Sequence, residues 1–200
     1  MYANAKFVSE SLPVVRLTTK YQDKSVFGVI STVEDPEKRA DTYGNFVTPF
    51  EKEIGDTRAY INSVGEGAVW VSDKNGVLES GDYITSCDLP GYGTRQTDDL
   101  LHNYTVAKIT MDCDFEPPTV PKLRIKKENG LNVLDELGNL VWEHDTTTEG
   151  EISMEQKYKL RYLTMDGSEI TKELYDSFKA VDSGYPVYRA AFVGCTYHCG

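Results

Sequence analysis

Apolar and polar residues alternate in short runs along most of this chain, the period-2 pattern of strands that bury one face. Residues 12–17 (LPVVRL) and 26–33 (VFGVISTV) read as strands joined by a turn at Tyr21-Gln22-Asp23-Lys24. Pro13 sits near the start of the first, where a missing N–H is tolerated. The polar stretch 34–48 holds Asp35-Pro36 and Tyr43-Gly44-Asn45 and reads as an exposed loop or extended arm. Residues 58–64 and 68–72 alternate again and are the next strands. Asp73-Lys74-Asn75-Gly76 carries the Asn-Gly pair that favours a tight hairpin. Gly81-Asp82 is a second turn before a strand starting at Tyr83. Leu89-Pro90-Gly91-Tyr92-Gly93 demands a tight, exposed loop, because Pro fixes φ and glycine permits the reversal after it. Residues 104–111 (YTVAKITM) form the clearest strand of all.

Beyond residue 116 the pattern changes. Pro117, Pro118 and Pro121 fall within five residues and mark a linker, since proline cannot donate to a ladder. Short strands are expected over 122–127, 131–134, 140–142 and 157–163, separated by Asn129-Gly130, Gly138-Asn139 and Asp166-Gly167. One helix is expected, from about Thr171 to Val181, with Thr171 as N-cap, Leu174 and Phe178 four apart on one face, and Gly184 after its end. Residues 187–193 make the last strand. The pattern therefore predicts a mainly β chain: a small barrel or sandwich of short antiparallel strands, with a β-clip arrangement among the options, over 1–116. A proline-rich linker comes next at 117–121, then a smaller C-terminal β-rich part with one short helix over 122–200.

Composition agrees with sheets and turns. The 200 residues include 13 tyrosines and 16 glycines, with 40% hydrophobic and 26% charged residues, ordinary for a globular chain. The formal charge of −11 weighs against nucleic acid as a partner, which wants a basic face to neutralise phosphates. No run approaches the ~18 apolar residues of a membrane span, and MYANAKFVSESLP lacks the apolar core of a signal peptide. The chain reads as lacking membrane insertion, and as either a whole protein or an excised piece of a longer one.

Candidate chemistry is sparse. Cys195, His198 and Cys199 form the best local metal candidate, a structural zinc that would draw a fourth ligand from Cys113 or Cys87. A disulfide fastening the C-terminus and inert thiols are the competing readings. A Cys195–His198 thiolate lacks a third group to orient the imidazole. His102-Asn103 precedes an uninterrupted strand and reads as surface polarity. Asp82, Asp88, Asp98, Asp99, Asp112 and Asp114 cluster in sequence, yet Asp112-x-Asp114 lacks the glycine and distal glutamate of an EF-hand. No constellation has the spacing of a hydrolase acting on an external substrate.

A resemblance goes further. Residues 25–32 (SVFGVIST), 65–86 (GEGAVWVSDKNGVLESGDYITS), 90–93 (PGYG), 104–115 (YTVAKITMDCDF) and the closing AAFVGCTYHCG resemble the C-terminal regions of fibre or tailspike-type proteins of phages and large algal viruses. That region is similar to the intramolecular-chaperone autoproteolytic domain that comes after fibrous stalks. The resemblance implies a homotrimeric virion-surface module assembled in the host cytoplasm, a fibre or spike tip that contacts other virion proteins and a host-surface glycan or receptor. Tyr92, Gly91, Gly93 and Tyr43 are its expected contact residues. The alternative it implies is a self-cleaving peptidase working once in cis. No cleavage motif matches residue by residue, and Ser9-Glu10-Ser11 or the long loop is the first place to look.

Overall fold

The alternating runs become strands, and the last of them pairs with three of the others. A computed structural model describes residues 15–33, 40–43, 46–49, 59–181 and 184–198. In chain order the strands are β1 (Val29–Val33), β2 (Ala40–Tyr43), β3 (Phe46–Pro49), β4 (Ala59–Asn62), β5 (Val64–Ser72), β6 (Tyr83–Ser86), β7 (Gly93–Arg95) and β8 (Thr105–Ile109). They continue as β9 (Thr119–Pro121), β10 (Leu123–Ile125), β11 (Lys127–Glu128), β12 (Leu131–Asn132), β13 (Trp142–His144), β14 (Met154–Gln156), β15 (Leu160–Thr164), β16 (Glu169–Ile170) and β17 (Val187–His198), with helix α1 (Lys172–Ala180) before the last.

The chain divides into two units, Met1–Phe115 with Leu160–Gly200, and Glu116–Lys159. This differs from the division expected from the prolines. The first boundary falls where they suggest, but residues from Leu160 onward belong with the first unit, because β17 pairs with β15, β5 and β8. A sequence pattern marks a strand without naming its partner, so this return was invisible.

In the first unit the strand order is β16-β15-β17-β5-β7-β6-β8, and β17 also pairs with β8. That extra pairing closes β5, β7, β6, β8 and β17 into a five-stranded ring, a small barrel. One of its pairs, β5 with β7, is parallel, so the sheet is mixed rather than wholly antiparallel. Cross-strand partners share a face. Round the ring, Val71↔Ala191, Val69↔Val193, Cys195↔Ile109, Tyr197↔Ala107 and Ala107↔Ile84 all point inward. Every one of these side chains is buried. Each large apolar one contributes about 1.5–3 kcal/mol by leaving water.

The barrel has a seam. β7 joins β5 only at Val71 and Ser72, so the backbone of β5 lacks a strand neighbour on that side around Ala68. Tyr197 fills the gap from within: its hydroxyl donates to the Ala68 carbonyl at 2.8 Å and accepts from the Ala68 N–H at 3.1 Å. A Cβ at Gly67 would collide with that tyrosine ring, which is why the residue beneath it is glycine. At the other end of β5, Asp73 accepts from the Arg189 N–H and Nε, each at 3.0 Å, while Arg189 also donates to the Phe115 carbonyl.

Three local expectations change. Asp73-Lys74-Asn75 forms a single 3₁₀ turn ended by Gly76 rather than a two-residue hairpin, and the chain goes on to a lone bridge between Leu78 and Cys113. Residues 15–28 are irregular, leaving β1 as the strand part of 26–33. Within the polar 34–48 stretch, β2 and β3 pair as an antiparallel hairpin. The helix is as expected, with the Thr171 hydroxyl accepting from the Leu174 N–H at 3.3 Å, but the side chain it buries is Tyr175, packed on Tyr162, while Leu174 faces solvent.

The second unit is a branched ribbon. β9 pairs with β14, β10 with β13, and β11 with β12, all antiparallel. Pro121 is therefore inside a ladder, tolerated because a two-stranded ribbon leaves one edge of every strand unpaired. Where the ribbon branches, three residues bond in a cycle. The Lys126 N–H donates to the Val141 carbonyl, Val141 to Val133, and Val133 back to Lys126, at 2.8–3.0 Å. A second cycle runs from Lys122 to Ser153 to Asp145 and back to Lys122. Such a junction uses the N–H and C=O of all three residues, so the ladder forks without leaving a polar group unmet. The arms end in turns, the first at Asn129 (φ 52°) and Gly130 (φ 81°), the tight hairpin that this dipeptide predicts.

Candidate binding surfaces

The loop singled out in the sequence is a turn that packs inward more than it displays itself. Pro90 and Gly91 are its corners, Gly91 takes φ 79°, and the Tyr92 N–H returns to the Leu89 carbonyl at 3.1 Å. Leu89 and Cys87 are buried with Leu163 and Ala190, and Tyr92 lies against them, half-buried. Gly93 is buried in β7. Of the expected contact residues here, only Gly91 is exposed, and its N–H is taken by the Thr18 carbonyl. The side chain of Tyr43 lies outside the described residues.

Gly91, Tyr92 and Gly93 do share one feature, a cleft of about 330 Å³ between this turn and the segment 15–30. Leu17, Phe27, Trp70 and Phe192 also line it. Its volume is at the lower end for small-ligand sites. The aromatic groups are already engaged: Trp70 packs on Phe192 at 5.2 Å, and the Arg161 guanidinium stacks on Trp70 at 4.1 Å. Arg161 also donates to the Tyr92 hydroxyl at 3.4 Å.

A second arrangement orders the loop before β8. Buried Gln96 donates through Nε2 to the carbonyls of Asp98 and Leu100 and to the Asp98 carboxylate, and accepts from the Thr105 hydroxyl. The Asp98 carboxylate also accepts from the Leu100 N–H at 3.0 Å and contacts His102 Nε2 at 3.0 Å. The Leu100 amide, then His102 and Gln96, hold the Asp98 carboxyl below its ordinary range. His102 stacks on Tyr104 at 4.6 Å. The histidine that the sequence marks as surface polarity is thus a strut of this loop.

The chemistry-bearing residues of the sequence are not brought together. Cys195 points into the barrel, while His198, three residues on, contacts Thr196 and Tyr83 outside it. Alternation along a strand puts these two on opposite faces, so they do not converge on one ion. Cys199 and Ser9-Glu10-Ser11 lie outside the described residues. Among the described residues no group of three or more His, Cys, Asp or Glu side chains is placed to hold a metal. Cys87 is buried beside Ser72 and Asp88, and burial pushes its thiol up, away from the reactive thiolate. Asp88 is held low by the ammonium of Lys74, 2.6 Å away. Among the described residues no helix is long and apolar enough to cross a membrane.

The surface that the sequence pattern does not reveal is the ribbon. Within Glu116–Lys159 the one buried residue is Tyr158. Eight large apolar side chains are exposed there, among them Leu123, Trp142 (56%), Met154 and Leu137 (87%). The two faces of its central segment differ sharply. On one, Arg124 pairs with Glu143 at 2.9 Å and with Asp145, which also takes Lys122 at 3.2 Å. On the other, Leu123 lies opposite His144 and Ile125 opposite Trp142. The signal was available in LRI set against WEH, two triplets whose outer and middle positions alternate in polarity, but their pairing across sixteen residues was not. No family model, no curated protein and no solved structure matches this chain.

Proposed function

We propose that this chain is a structural module that acts by assembling, a fibre- or spike-tip domain of a virion that forms a homotrimer and meets other virion proteins or a host-surface glycan. The support is a single observation, the ribbon with its two junctions fully bonded and its apolar side chains uncovered. A one-layered ribbon is at best marginally stable in water, and a stretch of this size without a core usually needs another chain, a metal or disulfides. Exposed apolar surface of this density marks an interaction site. The barrel serves as the rigid platform, and the cleft beside Tyr92 is the place on it for a small surface ligand.

Multi-angle light scattering of the 200-residue chain tests the reading. A mass three times that of one chain is expected across a concentration series. A monomer persisting at high concentration overturns it.

A further inference from the structure

Resting on the glycan half of the reading above, we infer that the ribbon carries a site for an acidic glycan, a sugar chain bearing carboxylate or sulfate groups, with Trp142 as its stacking platform and Lys127 as its anion contact. The two residues line one open cleft, together with Ile125, Arg124 and Glu143. Register brings them there. Trp142 on β13 lies opposite Ile125 on β10, and Lys127, the first residue of β11, is two residues on from Ile125 and borders the same cleft. His144, two residues from Trp142 on β13, lies farther along the same face.

What each group has left to offer selects the ligand. Trp142 is exposed, and among the described residues no ring or cation packs on its indole. Trp70 differs, because Phe192 and Arg161 pack on it. An uncovered indole presents a flat apolar ring with a negative face, which suits the C–H-lined side of a pyranose. The cations around Lys127 are already paired, Lys122 with Asp145, Arg124 with Glu143 and Asp145, and Lys126 with Glu128. Lys127 is exposed and, among the described residues, makes no ion pair. Its ammonium has three donors and no acceptor, so an anion is the group that satisfies it best. Glu143 is the one carboxylate on the cleft, and Arg124 holds it at 2.9 Å, leaving Lys127 as the uncompensated charge. A neutral sugar leaves that ammonium unanswered, and an inorganic anion leaves the indole bare. A sugar with an acidic substituent answers both, and His144 offers a further polar contact to the next ring. The chain charge of −11 does not forbid this, since at about 0.1 M salt exposed charges are screened beyond about 10 Å.

The experiment titrates the full chain with a galacturonate oligosaccharide, a sulfated galactan oligosaccharide and a neutral galactan oligosaccharide, and follows the two tryptophan indole N–H signals by NMR. Trp142→Phe assigns them. The Trp142 signal is expected to shift saturably with one or both acidic sugars, while that of Trp70 stays in place. Lys127→Gln is expected to weaken acidic binding about fivefold and to leave the neutral sugar unaffected, and Trp142→Ala to weaken acidic binding about tenfold or more. Raising the salt is expected to weaken acidic binding in the parent and to matter less in Lys127→Gln. Binding of the neutral sugar as tight as that of the acidic ones, or acidic binding unchanged in Lys127→Gln, overturns the anion contact. A shift at Trp70 in place of Trp142 puts the ligand in the barrel cleft, which overturns this site and leaves the glycan reading standing. No shift at either tryptophan with any of the three sugars sinks the site and the glycan half of that reading together, while the trimer stands or falls separately by light scattering.

Discussion

The barrel and the ribbon are both built from paired strands and bury very different amounts. Around the barrel, β17 alone has ladder partners in three other strands, and its inward residues Ala191, Val193, Cys195 and Tyr197 are all buried. In the ribbon, two cyclic junctions leave no branch-point amide unbonded, yet only Tyr158 is buried. A hydrogen bond made in place of one to water nets about 1 kcal/mol, whereas each buried large apolar side chain is worth about 1.5–3 kcal/mol. Hydrogen bonding thus gives the ribbon its shape, while burial is what gives the barrel its stability. The proposed assembly rests on this difference: the ribbon's apolar side chains lie uncovered where the barrel's are buried.

Four substitutions press on that contrast. The largest effect is expected from Ile84→Ala, which empties a fully buried barrel position and should cost about 2–5 kcal/mol in urea unfolding of the barrel. A cost below about 1 kcal/mol would mean that the barrel interior is as loose as the ribbon. Tyr197→Phe keeps the ring but strips both Ala68 backbone groups of their partner, and a loss of about 1–3 kcal/mol is expected from the same measurement. If the variant unfolds with the parent, the seam is closed by something other than the hydroxyl. Thr94→Val runs the other way. The Thr94 hydroxyl is buried without a hydrogen-bond partner, so an isosteric methyl should leave the melting temperature unchanged or raise stability by up to about 1 kcal/mol; a clear fall would reveal a hidden partner. Smallest is Leu131→Ala on the first arm, an exposed leucine whose loss should stay within about 0.5 kcal/mol. A change as large as that of Ile84→Ala would put a packed core where the ribbon has none.

Much of the local structure was legible because it is written in contiguous residues. The alternation in 68–72 and 104–111 gave β5 and β8, Asn129-Gly130 gave the first arm's turn, and Thr171 gave the helix cap. Pro90-Gly91 gave a turn with the expected positive φ, but nothing in PGYG tells that Tyr92 leans on Cys87 and Leu89 instead of facing a partner. The hidden part depends on distant partners. That β17 returns to β5, that Cys195 and His198 diverge, and that LRI faces WEH are all matters of register, a property of two strands at once. The proline cluster misled for a related reason: it forbids a central strand, and a ribbon has no centre.

The tyrosine at the seam has a consequence in time. Tyr197 and Ala68 are 129 residues apart, and the strand that carries the tyrosine is the last of the described chain. A chain leaving the ribosome makes β5, β6, β7 and β8 long before the strand that closes them exists. The barrel cannot close until β17 has been made, and its apolar strands wait unclosed while the ribbon emerges between them. Contacts this distant in sequence slow folding and lengthen exposure to wrong neighbours. In a crowded cell, the interval before residue 197 arrives is when this protein has most need of a chaperone.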